Sequence, residues 1–299
     1  MIAKIQKLKE EVYRASTVRD YWMLLKPTVM SLVIFTAFCG FLLAPGHTHP
    51  IQAGISLLAI AIGAGGAGAL NMWYEWERDA VMTRTQRRPI PSGIIRPGDA
   101  LAFGMSLSVA SVFMLAFAAN YLAAALLAFT IVFYGLIYTV WLKPYTAQNI
   151  VIGGIAGALP PVIGWVVVSQ TFSWFPILLF LIIFFWTPLH FWALALYKVE
   201  DYERAHIPMM PSFVGPKKTC EKMFIYAVLT IFTSMVPVAM GFLGVAYGVI
   251  AVLLGAYLLW LTWQVWKKNM QKAGRLFGYS IVYLFLLFLG MVVDGVIVA

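Results

Sequence analysis

Asn71–Pro91 reads NMWYEWERDAVMTRTQRRPIP and closes a long apolar run. It carries Glu75, Glu77 and Asp79, then Arg84, Arg87 and Arg88, in a chain that elsewhere avoids charge. On a helix, Asn71, Glu75 and Asp79 recur at i, i+4 and i+8 and fall within about 80° of arc. Glu77 points to another face. An oxygen-rich face beside a cationic strip suits a divalent metal that holds a phosphorylated ligand. The plainer alternative is that these acids are solvated groups at the end of a spanning helix.

The flanking sequence decides between water and membrane. The 299 residues are 62% hydrophobic and 11% charged, whereas soluble domains carry roughly 25% charged residues. The chain therefore lacks the polar surface of a soluble protein. Its apolar segments have the length of spanning helices rather than barrel strands. Nine spans are expected, at about 28–45, 52–74, 100–119, 121–142, 148–169, 174–197, 223–242, 244–266 and 276–297. The fold class is an all-α polytopic membrane protein. No polar linker divides the chain, so residues 28–299 read as one bundle behind a segment, 1–27, rich in Lys and Arg. In that segment Ile5, Leu8 and Val12 recur at helical spacing, as in a short interfacial helix on an anionic leaflet.

Charge fixes an orientation. With the N-terminus in the cytoplasm and the C-terminus outside, all 21 Lys and Arg fall in inside segments, and so does every acid but Asp294. This is the positive-inside pattern. It accounts for the +9 net charge as topology and not as nucleic-acid binding. The two long inside loops, about 75–99 and 198–222, are where the chemistry is expected. A transporter would carry its ionisable groups at mid-membrane, and these gather at one face. Cys39 and Cys220 lie too differently, one in a span and one in a loop, to form a disulfide or a metal motif.

The second inside loop opens HFWALALYKVEDYERAHIPMMP, residues 190–211. Lys198 and Asp201 are i, i+3 and share a face if the sixth helix continues past the membrane boundary. Two acid-and-base clusters thus emerge on one side, four spans apart. Facing each other, they would bridge a diphosphate through Mg²⁺, with Arg and Lys neutralising the remaining oxygens.

At these residues the chain resembles the intramembrane UbiA-type prenyltransferase family, whose first motif has the form N-x-x-x-[DE]-x-x-x-D and is met here by Asn71, Glu75 and Asp79. It is most similar to the branch of that family that farnesylates haem. The matching text runs in order along the chain: LLKPTVMSLVIFTAFCG, the NMWYE stretch with its RPIPSG, QNIVIGGIAGALPPVIGW, and HFWALALYKVEDYERAHIPMMP. Many relatives carry a second motif D-x-x-x-D, but here Ala205 stands at that spacing from Asp201. The haem branch resembles this DY-x-x-A-x-IPM pattern.

The resemblance implies that farnesyl diphosphate ionises at its allylic C–O bond, that the farnesyl cation adds to a vinyl group of haem B, and that water captures the resulting cation to give haem O. It implies Mg²⁺ as cofactor, the inner membrane as location and the cytoplasm as the side of the active site. Membrane lipid, and a haem A synthase that would take the product, are the further partners. The alternative acceptor is a quinone ring or another aromatic.

Individual residues then take roles. Glu75, Asp79 and Asp201 are the metal ligands, joined by Asn71 and Lys198 in the catalytic set. Arg84 and Arg88 match the branch's R-T-x-x-R and are substrate-binding, as is Tyr202 of the DY pair. Lys143 and Asn149, at the inside start of the fifth span, contact substrate head groups. His190, within the sixth span about two turns before Lys198, is the first choice to contact haem; His206 is the next. His47 and His49 are loop residues on the opposite side. The glycines of GAGGAG and of the fifth span read as packing positions.

Overall fold

The computed structural model describes residues 16–267 and 270–298, and within them every regular element is helical. Residues 1–15, which hold most of the expected interfacial helix, lie outside the described residues. The first described helix, α1 (Val18–Leu24), meets α2 (Pro27–Leu43) at a bend of 59°. Leu24 is buried against Ala69 and Met72, while Val18 and Trp22 stay exposed.

The chain continues through α3 (Pro50–Val81), α4 (Pro97–Ala118) and α5 (Tyr121–Val132). The last of these runs on as a π-helix, Phe133–Leu142, and ends in a turn at Lys143–Tyr145. One span is split at its middle into α6 (Asn149–Ala158) and α7 (Pro160–Ser169), broken before the Pro160-Pro161 pair, which cannot supply backbone N–H donors. Then come α8 (Trp174–Tyr197), the short α9 (Val199–Arg204) and α10 (Met210–Val214), and finally α11 (Pro216–Ala239), α12 (Val245–Lys267) and α13 (Ala273–Val298). Proline opens α2, α3, α4 and α11, where its missing N–H is no loss.

Among the described residues, eight helices are long and apolar enough to cross a membrane. The count is nine if α1 and α2 are taken together as one bent span. Their outward faces carry bare large apolar side chains, such as Phe113, Phe117, Trp141, Phe232 and Leu253, as a lipid-facing surface requires. The α6–α7 span and α8 are the most enclosed and form the centre of the bundle.

Close helix approach depends on glycine. A methyl added at Gly40 would overlap the Pro161 carbonyl, and one at Gly164 would overlap the Ala37 carbonyl, so α2 and α7 cross with their backbones in contact. In the GAGGAG run, Gly63 admits Leu127 and Ser111, and Gly66 admits Ser108 of α4. Without a hydrophobic drive between helices in lipid, such small-residue contacts supply the packing.

Cys39 and Cys220 are both free and buried. Asp294, the lone acid at the far end, accepts the N–H groups of Gly244 and Tyr247 at 2.5 and 3.1 Å. It thereby satisfies orphan donors at the start of α12 from α13.

Candidate active site

Helix α3 positions the first cluster. Its 32 residues span about 48 Å at 1.5 Å per residue, more than the ~30 Å hydrocarbon layer. Its last turns, with the acids, therefore extend beyond the apolar part of the bundle. Asn71, Glu75 and Asp79 lie on one face and are all buried, as their spacing requires.

Each has a cationic partner. Lys26, at the α1–α2 bend, donates to Asn71 Oδ1. Asn71 Nδ2 donates to Thr139 Oγ1 at 3.0 Å. The π-helical register delivers Thr139 there, and its hydroxyl bonds back to the Tyr134 carbonyl five residues earlier, at 2.7 Å. Lys143, just past the π-helix, faces both oxygens of Glu75, with Nζ 2.5 Å from Oε1 and 2.6 Å from Oε2. Arg88 Nη1 meets Asp79 Oδ2 at 2.6 Å. The loop after α3 makes that contact possible by folding back: Thr85 is buried, its hydroxyl bonds the Asp79 carbonyl at 2.9 Å, and the Arg88 N–H bonds the Thr85 carbonyl at 2.9 Å. Tyr134 and Tyr138 stack beside this group with ring centroids 5.4 Å apart, and Lys26 Nζ lies 5.9 Å from the centre of the Tyr134 ring.

The second cluster touches the first loop directly. Asp201 is buried on α9, and its Oδ1 accepts the Thr83 N–H at 3.1 Å, the Thr83 hydroxyl at 2.8 Å and the Arg204 guanidinium. Arg204 also donates to the Thr83 hydroxyl at 2.8 Å. Burial opposes the charge on Asp201, but these donors, with the Arg84 backbone N–H, hold its carboxyl below the usual carboxylate range. The contact joins residues 118 apart and sets the loops after α3 and α8 against each other at one end of the bundle.

The other expected site residues are spread more widely. Tyr202 is buried in the core beside Asp201. Asn149 is fully buried; its Nδ2 donates to the carbonyls of Thr146 and Pro208 at 2.6 and 3.0 Å, and its Oδ1 has no partner. Arg84 is exposed on the loop that carries Thr83. His206 is exposed, with φ of 51°, at the turn after α9. His190 is buried on the α13 side of α8, stacked with Trp186 and Phe277 and 2.7 Å from Ser280 Oγ.

Lys198 departs from expectation. The helix does not continue through it: φ −126° and ψ 35° break α8 from α9. Its ammonium lies 4.5 Å from the centre of the Tyr197 ring, and Asp201 is held instead by Thr83 and Arg204. Sequence reading missed Lys26, Thr83, Thr139 and Arg204. Lys26 and Arg204 carried only the signal of a basic residue in an inside segment, and Thr83 and Thr139 carried none.

Comparison with known proteins gives the family and the fold. The family model for the UbiA prenyltransferase family matches residues 33–289. A protein of Rhizobium johnstonii named protoheme IX farnesyltransferase is 50% identical over an alignment that covers 98% of this chain and 93% of that one. A solved digeranylgeranylglyceryl phosphate synthase superposes with a TM-score of 0.77 at 16% identity, covering 93% of this chain and 98% of its own. A UbiA homologue from Archaeoglobus fulgidus, solved with DMAPP and Mg²⁺, gives a TM-score of 0.65 at 17% identity, over 90% of this chain and 99% of its own. At these identities the structural likeness is one of fold.

Proposed function

The chain belongs to the UbiA prenyltransferase family, and from that premise we propose that it transfers the farnesyl group of farnesyl diphosphate to a vinyl group of haem B, giving haem O and diphosphate. The observation that carries the donor half is the pair of acid-and-base clusters joined at one end of an apolar bundle. The acceptor half rests on the half-identical relative over nearly the whole chain.

The residues fit Mg²⁺. Glu75, Asp79 and Asp201 offer only hard oxygen donors. Among the described residues no three carboxylate, His or Cys side chains are grouped to hold a metal ion, so Glu75, Asp79 and Asp201 do not form one cage; Mg²⁺ takes one or two carboxylates and completes its shell with substrate phosphate. When bound, the metal neutralises the diphosphate and its growing charge as the C–O bond ionises. Lys143, Arg88 and Arg204 now neutralise the carboxylates, and Lys26 donates to Asn71. The diphosphate oxygens compete for these four basic groups, and the attraction strengthens as the leaving group departs.

In the reaction the allylic C–O bond breaks with its electron pair leaving on diphosphate. The farnesyl C1 then bonds the outer vinyl carbon, the positive charge moves to the inner carbon beside the porphyrin, and the oxygen of water bonds there with release of a proton. The apolar interior holds the farnesyl chain and limits early capture of the cation by water.

The intramembrane domain is assigned to residues 28–299, behind an N-terminal segment, 1–27. The protein sits in the inner membrane with its N-terminus and the loops 75–99 and 198–222 in the cytoplasm and its C-terminus outside. A haem A synthase is the partner class that would consume the product.

Purified protein given haem B, farnesyl diphosphate and Mg²⁺ should yield hydroxyethylfarnesyl haem by mass spectrometry. Absence of product where a relative is active, or prenylation of an aromatic acceptor with haem inert, overturns the proposal.

A further inference from the structure

A closed chain of contacts runs through Asn71. Lys26 Nζ donates to Asn71 Oδ1, Asn71 Nδ2 donates to Thr139 Oγ1 at 3.0 Å, and Thr139 Oγ1 donates to the Tyr134 carbonyl at 2.7 Å. The Tyr134 ring closes the chain by facing Lys26 Nζ at 5.9 Å. Asn71 lies 45 residues from Lys26 and 68 from Thr139, and Asn71 and Thr139 are both buried. Lys26 reaches the group from the α1–α2 bend with φ of 53°, an uncommon conformation for a residue other than glycine.

The chemistry of the partners leaves the Asn71 carboxamide one orientation. An ammonium only donates, so the atom that faces Lys26 is the amide oxygen. A carbonyl only accepts, so the Thr139 hydrogen goes to Tyr134 and the Oγ1 lone pairs remain for Asn71. Both ends demand the same placement, with Oδ1 toward Lys26 and the NH₂ toward the π-helix. A flipped carboxamide would set its NH₂ against an ammonium and its oxygen against a hydroxyl whose hydrogen is already spent.

The π-helix makes the second of these contacts. Thr130, Thr187 and Thr262, on α-helical turns, return their hydroxyl hydrogens to the carbonyl four residues back. Thr139 returns its own to the carbonyl five back, in keeping with the wider turns of Phe133–Leu142. Such turns are frequent at functional sites, and this one leads straight into Lys143, the partner of Glu75.

We propose that Thr139 is a positioning residue: acting through Asn71 Nδ2, it holds the Asn71 oxygen on the face shared with Glu75 and Asp79 for use by Mg²⁺ and diphosphate. The inference rests on the prenyl-transferring reading above. Outer partners of this kind orient oxygen ligands, and their loss lowers metal affinity.

The full chain in detergent is titrated with Mn²⁺, which suits the same oxygen ligands as Mg²⁺, in the presence of farnesyl diphosphate and without haem. Free Mn²⁺ is read by electron paramagnetic resonance. Thr139→Val keeps the side-chain shape and removes the acceptor. It should weaken Mn²⁺ binding by about 10- to 100-fold and raise the Mg²⁺ concentration for half-maximal turnover, with kcat at saturating Mg²⁺ changed less. Thr139→Ser keeps the hydroxyl and should restore the affinity. A residue that merely fills space would give the opposite order, with valine near wild type and serine impaired. Should Thr139→Val not fold, Thr139→Cys, whose sulfur is a weak acceptor, takes its place and should also lose affinity. Wild-type affinity in the variant that lacks the hydroxyl, or an equal loss in Thr139→Ser, overturns this inference alone. A wild type that binds no Mn²⁺ with farnesyl diphosphate overturns the reading of the site as well.

Discussion

Glu75 keeps a carboxylate at the edge of an apolar bundle by placing both of its oxygens against one ammonium. Its side chain is 2% exposed and that of Lys143 is 17%. Removing one partner of such a pair costs about 3–5 kcal/mol, because the other charge stays buried without compensation. Lys26 and Arg88 also act on Glu75, so the lower end of that range applies. Lys143→Met should therefore lower the thermal unfolding midpoint, and Mg²⁺ alone should recover more of it than it adds to the wild type, because a ligand stabilises the state it binds. A variant with a wild-type midpoint and no extra response to Mg²⁺ would refute this pairing. The same pair marks how far the sequence could be read. Asn71, Glu75 and Asp79 were legible because the helix period alone puts them on one face. Which base pairs with which was not, although Arg88 and Lys143 were expected in the site: Lys143 is 68 residues from Glu75 and Lys26 is 45 from Asn71. Tertiary packing, not spacing, chooses such partners.

At the scale of elements, the spans were legible because hydropathy reports burial in lipid directly. Two local departures were not. The sequence around Lys198 has no Gly or Pro to announce the break after α8. Nothing in FYGLIYTVWL announces a π-helix over Phe133–Leu142, since the extra residue per turn is set by what the helix must reach. Here it reaches Asn71 through Thr139. Tyr138, on the same stretch, packs into the space left by Gly153 of α6: a methyl there would overlap its ring. Four residues on, a methyl at Gly157 would meet nothing within 4 Å. Gly153→Ala should thus force Tyr138 toward the Glu75 side of the site, costing about 1–3 kcal/mol by overpacking and lowering turnover. Gly157→Ala should stabilise by about 0.5–1 kcal/mol through helix propensity with turnover unchanged. Melting curves and rates on the two variants separate the cases, and equal behaviour would remove Tyr138 from the site.

At the scale of the molecule, the clusters work only if both reach the compartment that supplies diphosphate and haem. The fold brings the loops after α3 and α8 to one end through Thr83 and Asp201 but leaves open which side of the membrane that end faces. The sequence supplies an expectation through electrostatics: every Lys and Arg falls in segments that the nine-span reading puts on one side, and by the positive-inside rule that side would be the cytoplasm. The expectation can be checked chemically, because Cys39 and Cys220 are buried and give little background to an engineered thiol. His47 in the α2–α3 loop and Gln86 in the α3–α4 loop are both exposed and lie at opposite ends of α3. In intact cells, a membrane-impermeant maleimide should label His47→Cys once the outer membrane is permeable. It should label Gln86→Cys only after the inner membrane is opened. The reverse pattern would invert the bundle. Labelling of both in intact cells would mean mixed insertion, and the positive-inside argument would fail with it.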